Sequence, residues 1–274
     1  IIFIGCSFDN KTGIWNTNQK RKNVNAKLIN LSDNRDSFQI ELNPELTINL
    51  NSQAKTNNKW IMSGLNYTNL THHLKFDSLV KKFSKYKYKK IQHSTIRESP
   101  LIVGKNYFII MGEKGTILKF TNNKKLRWSK NIYSKKEKNK IENISLTLHK
   151  EKLYVVDNLG KYYVLNVDTG EIVWINQHKA IFNSQIKVYK NKIFVVDGNN
   201  VINCFSVTDG KEIWKYETNP TFIKTNKKLS IIVTSDSVLF SNTAGDIAKI
   251  DINTGELIWF IPTQNTLIKH ETNF

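Results

Sequence analysis

Residues 160–174 read GKYYVLNVDTGEIVW, and the same pattern returns as NVINCFSVTDGKEIW at 200–214 and as GDIAKIDINTGELIW at 245–259. In each copy a run of alternating apolar and polar residues meets a turn, and Trp falls four positions after the turn glycine: Gly170 to Trp174, Gly210 to Trp214, Gly255 to Trp259. An earlier copy, GTILKFTNNKKLRW at 115–128, has lost the glycine and one residue, and ends on Trp128. The four tryptophans stand 46, 40 and 45 residues apart. Self-similarity at such a period marks a repeat architecture rather than a single irregular domain.

The match continues upstream in register. YFIIMG from Tyr107, KLYVVD from Lys152, KIFVVD from Lys192 and SVLFSN from Ser237 keep the same offsets, as do SPLIVG from Ser99, ISLTLH from Ile144, SQIKVY from Ser184 and LSIIVT from Leu229. Short runs of Val, Ile, Tyr and Phe between turn residues are strands, and period-2 alternation gives each a buried face. The pairs Lys105-Asn106, Lys150-Glu151, Lys190-Asn191 and Ser235-Asp236 join the first strand of each copy to the second. Asp168-Thr169-Gly170, Thr208-Asp209-Gly210 and Asn253-Thr254-Gly255 are hairpin turns whose glycine takes positive φ without steric cost. Four strands per 40–46 residues specify a propeller blade. The expected fold is therefore an all-β propeller of four-stranded blades at about 99–131, 144–177, 184–217 and 229–262. Trp128, Trp174, Trp214 and Trp259 lie on the outermost strands, where a large aromatic side chain buries surface against the turn of a neighbouring blade. They are expected to be structural residues.

The remaining composition bounds the function. At 39% hydrophobic, the 274 residues can build a core and are not a disordered chain. The formal net charge of +18 comes from lysines spread over loops in a composition rich in Lys, Asn and Ile, so it is expected to be a solvated surface. The densest run, KKFSKYKYKK at Lys81–Lys90, interleaves aromatics with lysines in a way that can mark a nucleic-acid platform, but an edge guarded by lysines fits it better. No nucleic-acid partner is expected. Cys6 and Cys204 are far apart in sequence and form no disulfide framework, and Cys204 sits at a strand position where sister copies carry Val164 and Lys249. His72-His73 has no Cys or His companion at metal spacing, so no metal site is expected.

The first residues, IIFIGCS, place an apolar run and a glycine directly before Cys6, which resembles the end of a lipoprotein signal with its lipobox. On that reading residues 1–6 are a signal remnant and Cys6 is the lipidated residue. Residues 7–37 are a polar tether without periodicity, and residues 38–274 hold the propeller segment. No run of 18 or more apolar residues occurs.

The pattern D/N-T-G-E-x-x-W at Asp168–Trp174 and Asn253–Trp259 resembles the PQQ-type β-propeller repeat. With the lipobox-like start, the polar tether and the stretch WIMSGLNYTNLTHHL from Trp60, the chain is similar to the BamB family of outer-membrane assembly lipoproteins in its alphaproteobacterial form. That resemblance implies a closed eight-bladed ring, of which four blades are visible here and the chain is a fragment. It implies a non-catalytic scaffold that takes no cofactor and is attached by its lipid to the periplasmic face of the outer membrane. The partners it implies are the barrel-insertion core protein and unfolded outer-membrane β-barrel substrates. The same repeat also serves quinoprotein dehydrogenases, so a periplasmic PQQ-dependent enzyme or quinone-binding module is the alternative. Its signature of adjacent cysteines and a calcium-binding carboxylate cluster is not found, because Cys6 and Cys204 are not adjacent and no acidic run has the spacing.

Overall fold

Each of the four copies folds into one antiparallel sheet whose strands follow chain order from the inside outward. The computed structural model describes residues 53–75, 100–218 and 227–262, all within a unit running from Ser52 to Phe274. Blade 1 is β1 Leu101–Val103, β2 Tyr107–Met111, β3 Ile117–Thr121 and β4 Leu126–Lys130; blade 2 is β5 Ile144–His149, β6 Lys152–Asp157, β7 Lys161–Asn166 and β8 Ile172–Gln177. Blade 3 is β9 Lys187–Tyr189, β10 Lys192–Val196, β11 Val201–Ser206 and β12 Glu212–Glu217; blade 4 is β13 Ile231–Val233, β14 Ser237–Ser241, β15 Ile247–Asp251 and β16 Leu257–Ile261. The all-β architecture of four-stranded blades is thus present, with a 3-10 turn at Glu113–Gly115 inside blade 1 and a short helix, α1 Lys135–Lys138, between blades 1 and 2 among the described residues.

The alternation of side chains along a strand explains why the blades stack. In β6, Leu153 and Val155 join the core shared with blade 1, while Tyr154 and Val156 join the core shared with blade 3. Both faces of the strand are therefore buried, and consecutive apolar residues read correctly as a strand. The first core contains Ile109, Met111 and Ile117 against Ile144 and Leu165. The second sets Tyr162 and Val164 against Ile186, Val195 and Phe205, with Tyr162 stacked on Phe205 at 4.6 Å between ring centres. The third sets Phe194, Val196 and Cys204 against Ile231, Val238 and Phe240. Successive inner strands β1, β5, β9 and β13 adjoin one another in that order.

A bulge recurs in the outer pair of every blade, between Lys119 and Phe120, Val164 and Leu165, Cys204 and Phe205, and Lys249 and Ile250. In each the residue before the bulge pairs with the tryptophan. A bulge re-aims the side chains beside it. In the linker ahead of blade 2, α1 is started by a capping box, in which the Ser134 side chain accepts from the Glu137 amide and the Glu137 carboxylate accepts from the Ser134 amide.

Candidate interaction site

Adjacent blades are joined by one repeated contact. The indole N–H of Trp128 donates to the carbonyl of Val167 at 2.9 Å, that of Trp174 to Val207 at 3.1 Å, and that of Trp214 to Ile252 at 3.2 Å. Each acceptor lies three residues before a turn glycine of the next blade, and the ring lies on that glycine. A Cβ placed on Gly170 would stand 2.7 Å from Trp128 Cδ2, one on Gly210 2.8 Å from Trp174 Cζ3, and one on Gly255 2.7 Å from Trp214 Cδ2. All three glycines have φ between +73° and +77°. Two lysines reinforce the contact. Lys119, buried and lying over the Tyr107 ring, donates to the Val167 carbonyl and to Asp168 Oδ1, both at 2.9 Å, and Lys192 donates to the Ile252 carbonyl and to Asn253 Oδ1, both at 2.8 Å. Between blades 2 and 3 neutral groups take that place: Tyr162 donates to the Gly210 carbonyl and Asn176 to that of Asp209. Trp259, on β16, has no hydrogen-bond acceptor of this kind among the described residues. In blade 1 the glycine position is held by Lys124, also left-handed at φ 63°.

A second feature lies on the inner edges of the blades. Residues 60–69 pass along them in blade order. Trp60 exchanges two main-chain hydrogen bonds with Val103 at 2.8 Å, Ile61 accepts from the Leu148 amide at 2.8 Å, and Tyr67 accepts from the Val233 amide at 2.9 Å. Met62 is completely buried and bridges to Thr147, and Asn69 donates to the Ile231 carbonyl. At blade 3 a side chain replaces the backbone donor. Lys187 is buried in the interior and gives its ammonium to the carbonyls of Ser63 at 2.6 Å and Asn66 at 2.9 Å and to Asn69 Oδ1 at 2.6 Å. Burial draws its pKa down to about 8. This strap is closed at its base by Lys55 and Leu74, whose neighbour His73 accepts from the Lys55 amide.

The outer strands form the third feature. β4, β8, β12 and β16 carry aliphatic residues in solvent, among them Leu126, Ile172, Val173, Ile213, Leu257 and Ile258. These side chains form an apolar surface on the blade periphery, beside the hydrogen-bonding edges of the outer strands.

The titratable groups are arranged for packing. Cys204 is buried and its thiol is pushed up to about 12 by desolvation. Tyr133 donates to Asp157 at 2.7 Å, and burial raises the tyrosine well above the usual phenol range. His178 meets Asp197 at 3.2 Å and stacks on Phe182. No group of three or more His, Cys, Asp or Glu able to hold a metal occurs among the described residues, and none of their helices is long and apolar enough to cross a membrane. Cys6, the tether and the run Lys81–Lys90 lie outside the described residues. Sequence reasoning overlooked Lys119, Lys187 and Lys192: Lys119 and Lys187 interrupt apolar strand patterns only weakly in so lysine-rich a chain, and Lys192 begins its strand as an ordinary surface lysine would.

Four blades of this repeat, locked tryptophan to glycine turn, define a β-propeller of the PQQ-like repeat class. The chain belongs to the family described as outer membrane protein assembly factor BamB, which matches residues 113–271, more than half of its length. No curated protein sequence matches it. Among solved structures it is similar to BamB from Moraxella catarrhalis, with 15% identity and a TM-score of 0.49 over 61% of this chain and 49% of that one. It is also similar to the quinohemoprotein alcohol dehydrogenase from Comamonas testosteroni, with 13% identity and a TM-score of 0.57 over 76% of this chain and 42% of that one. The quinohemoprotein alcohol dehydrogenase ADHIIG from Pseudomonas putida HK5 follows, with 14% identity and a TM-score of 0.52 over 75% and 40%. At such identities these likenesses show the fold alone, and the chain spans less than half the length of each.

Proposed function

We propose that this protein is a non-catalytic scaffold of the machinery that assembles β-barrels in the outer membrane. The observation that carries the proposal is membership of the BamB family over residues 113–271. On this reading Cys6 is lipidated and holds the protein on the periplasmic face of the outer membrane. Residues 7–37 are the tether, and residues 38–274 belong to the propeller, part of an eight-bladed ring. Trp128, Trp174, Trp214 and Trp259 with Gly170, Gly210 and Gly255 keep the blades in register. The partners are the barrel-insertion core protein and unfolded β-barrel substrates. The exposed outer edges, with aliphatic residues such as Ile172 and Ile258, suit an extended substrate strand that adds by backbone pairing.

A crosslinked pull-down of the protein from solubilised cell envelope tests this. Enrichment of the barrel-insertion core protein is expected; its absence with abundant intact bait defeats the scaffold assignment. Cys6→Ala is expected to release the protein from membranes, and unchanged sedimentation defeats the anchor. The second reading is a quinone-dependent dehydrogenase or quinone-binding module, since quinoprotein dehydrogenases such as the Comamonas testosteroni enzyme share this fold. Tight binding of added quinone with dye-linked alcohol oxidation would establish it in place of the scaffold.

A further inference from the structure

The innermost strand of a propeller blade has a free edge turned toward the axis, and each backbone donor on it needs an acceptor once water is excluded. In three blades the donor occupies the same repeat position: Val103, Leu148 and Val233 align with one another, and their amides are answered by the carbonyls of Trp60, Ile61 and Tyr67. In the remaining blade the position before it is Lys187, whose ammonium takes three oxygens of residues 63–69. The inner edges are thus a row of donors that holds residues 60–69, extended at 60–62 and turned at 63–68, at about one point per blade, and Met62 among them is completely buried.

The occupant is held less firmly than the blades it crosses. Its flanks at 53–59 and 70–73 are mostly exposed. Leu65 and Asn69 sit in the left-handed region at φ 70° and 56°, which non-glycine residues adopt at a cost. Lys187 finds neutral oxygens and no carboxylate among its bonded partners, so its charge is desolvated without an ion pair. These are the marks of a segment drawn from the low-stability end of a structure.

We propose that the inner-edge row is a binding site for an extended polypeptide segment with one apolar anchor and a carbonyl-rich turn, occupied in cis by residues 60–69 and open to a competing segment of the same chemistry. Recognition falls mainly on backbone carbonyls, so the site selects shape and a buried apolar side chain more than sequence. Lys187 is its specificity-determining residue, because it alone reads the turn through three oxygens. The site is separate from the outer edges and does not depend on the scaffold assignment.

The test uses the full chain with Met62→Asp, which places a carboxylate at a completely buried position and unseats the strap while leaving every donor of the row in place. A fluorescent peptide of residues 58–70 is the probe, read by anisotropy. The variant is expected to bind it at least about tenfold more tightly than the natural chain, and Lys187→Met added to the variant is expected to abolish the gain. Amide exchange at Val103, Leu148 and Val233 should rise in the variant and fall again with peptide. Equal binding by both proteins, with the blades unfolding cooperatively in each, overturns the proposal. Should Met62→Asp fail to fold, Asn69→Ala removes a Lys187 partner without burying a charge. It is expected to speed exchange at the same three amides, and unchanged exchange there overturns the proposal equally.

Discussion

Gly170→Ala is the sharpest perturbation of the blade-to-blade lock. Two costs arise from one methyl group. The backbone at φ +73° is left-handed, which disfavours an L side chain by about 1–2 kcal/mol. The new Cβ would also stand 2.7 Å from Trp128 Cδ2 and 2.9 Å from its Cγ, where overpacking costs about 1–3 kcal/mol. Trp128 is only partly buried and can yield somewhat, but its bond to the Val167 carbonyl resists displacement, so the total is about 2–4 kcal/mol. In a chain of this size that corresponds to a fall in Tm of roughly 3–8 °C. Urea unfolding of the natural chain, Gly170→Ala, Trp128→Ala and the double variant separates the two costs. With the ring gone only the backbone term survives, so a coupling of about 1–3 kcal/mol is expected between the two positions. Additive losses within about 0.5 kcal/mol would show that the glycine is needed for its φ alone and that the ring is not seated on it.

Other outcomes follow from the same contacts. Lys124→Gly relieves a left-handed non-glycine at φ 63° and should raise stability by about 1 kcal/mol in the same urea assay; a loss would mean that the Lys124 side chain contributes more than its backbone costs. Lys187 has a pKa drawn from 10.5 to about 8 by burial, so between those values the unfolded chain binds a proton that the folded one does not. Stability due to this group therefore rises with pH across that window, by up to about 3 kcal/mol, and Lys187→Met should abolish the rise. Urea midpoints of both proteins at pH 7 to 9.5 check this, and a difference that stays flat with pH contradicts it. The Cys204 thiol, buried and pushed up to about 12, should resist alkylation at pH 8 and react only at the rate of unfolding, as followed by mass spectrometry of its peptide; prompt labelling would place it outside the blade 3 to blade 4 core.

The blades were legible because their signals are local. Leu153-Tyr154-Val155-Val156 is consecutive apolar sequence, and a strand with both faces buried needs that composition. Asp168-Thr169-Gly170 and the tryptophan four residues later combine a turn with a fixed side-chain requirement, so they survive as a visible pattern. The strap was hidden for the opposite reason. Trp60, Ile61 and Tyr67 take part through their carbonyls, which every residue possesses, and no periodicity accompanies a segment that touches each blade once. Lys119 and Lys192 were concealed differently: both occupy strand positions but send their ammonium groups to the neighbouring blade, and the partner oxygens lie 48 and 60 residues further along the chain. In a chain with 41 Lys and Arg residues, such lysines do not stand out from solvated ones.

Because the tryptophan contact involves only an outer strand and the turn of the following blade, the geometry that aligns two blades is indifferent to how the chain travels between them. The intervals of 46, 40 and 45 residues between tryptophans show that freedom in use: the longest accommodates the capped turn at Lys135–Lys138, while the lock at Val167 keeps the form it has at Val207. Connections between blades can therefore lengthen, shorten or acquire new side chains without disturbing alignment. Such a scaffold can acquire new binding loops at its blade junctions while its frame stays unchanged.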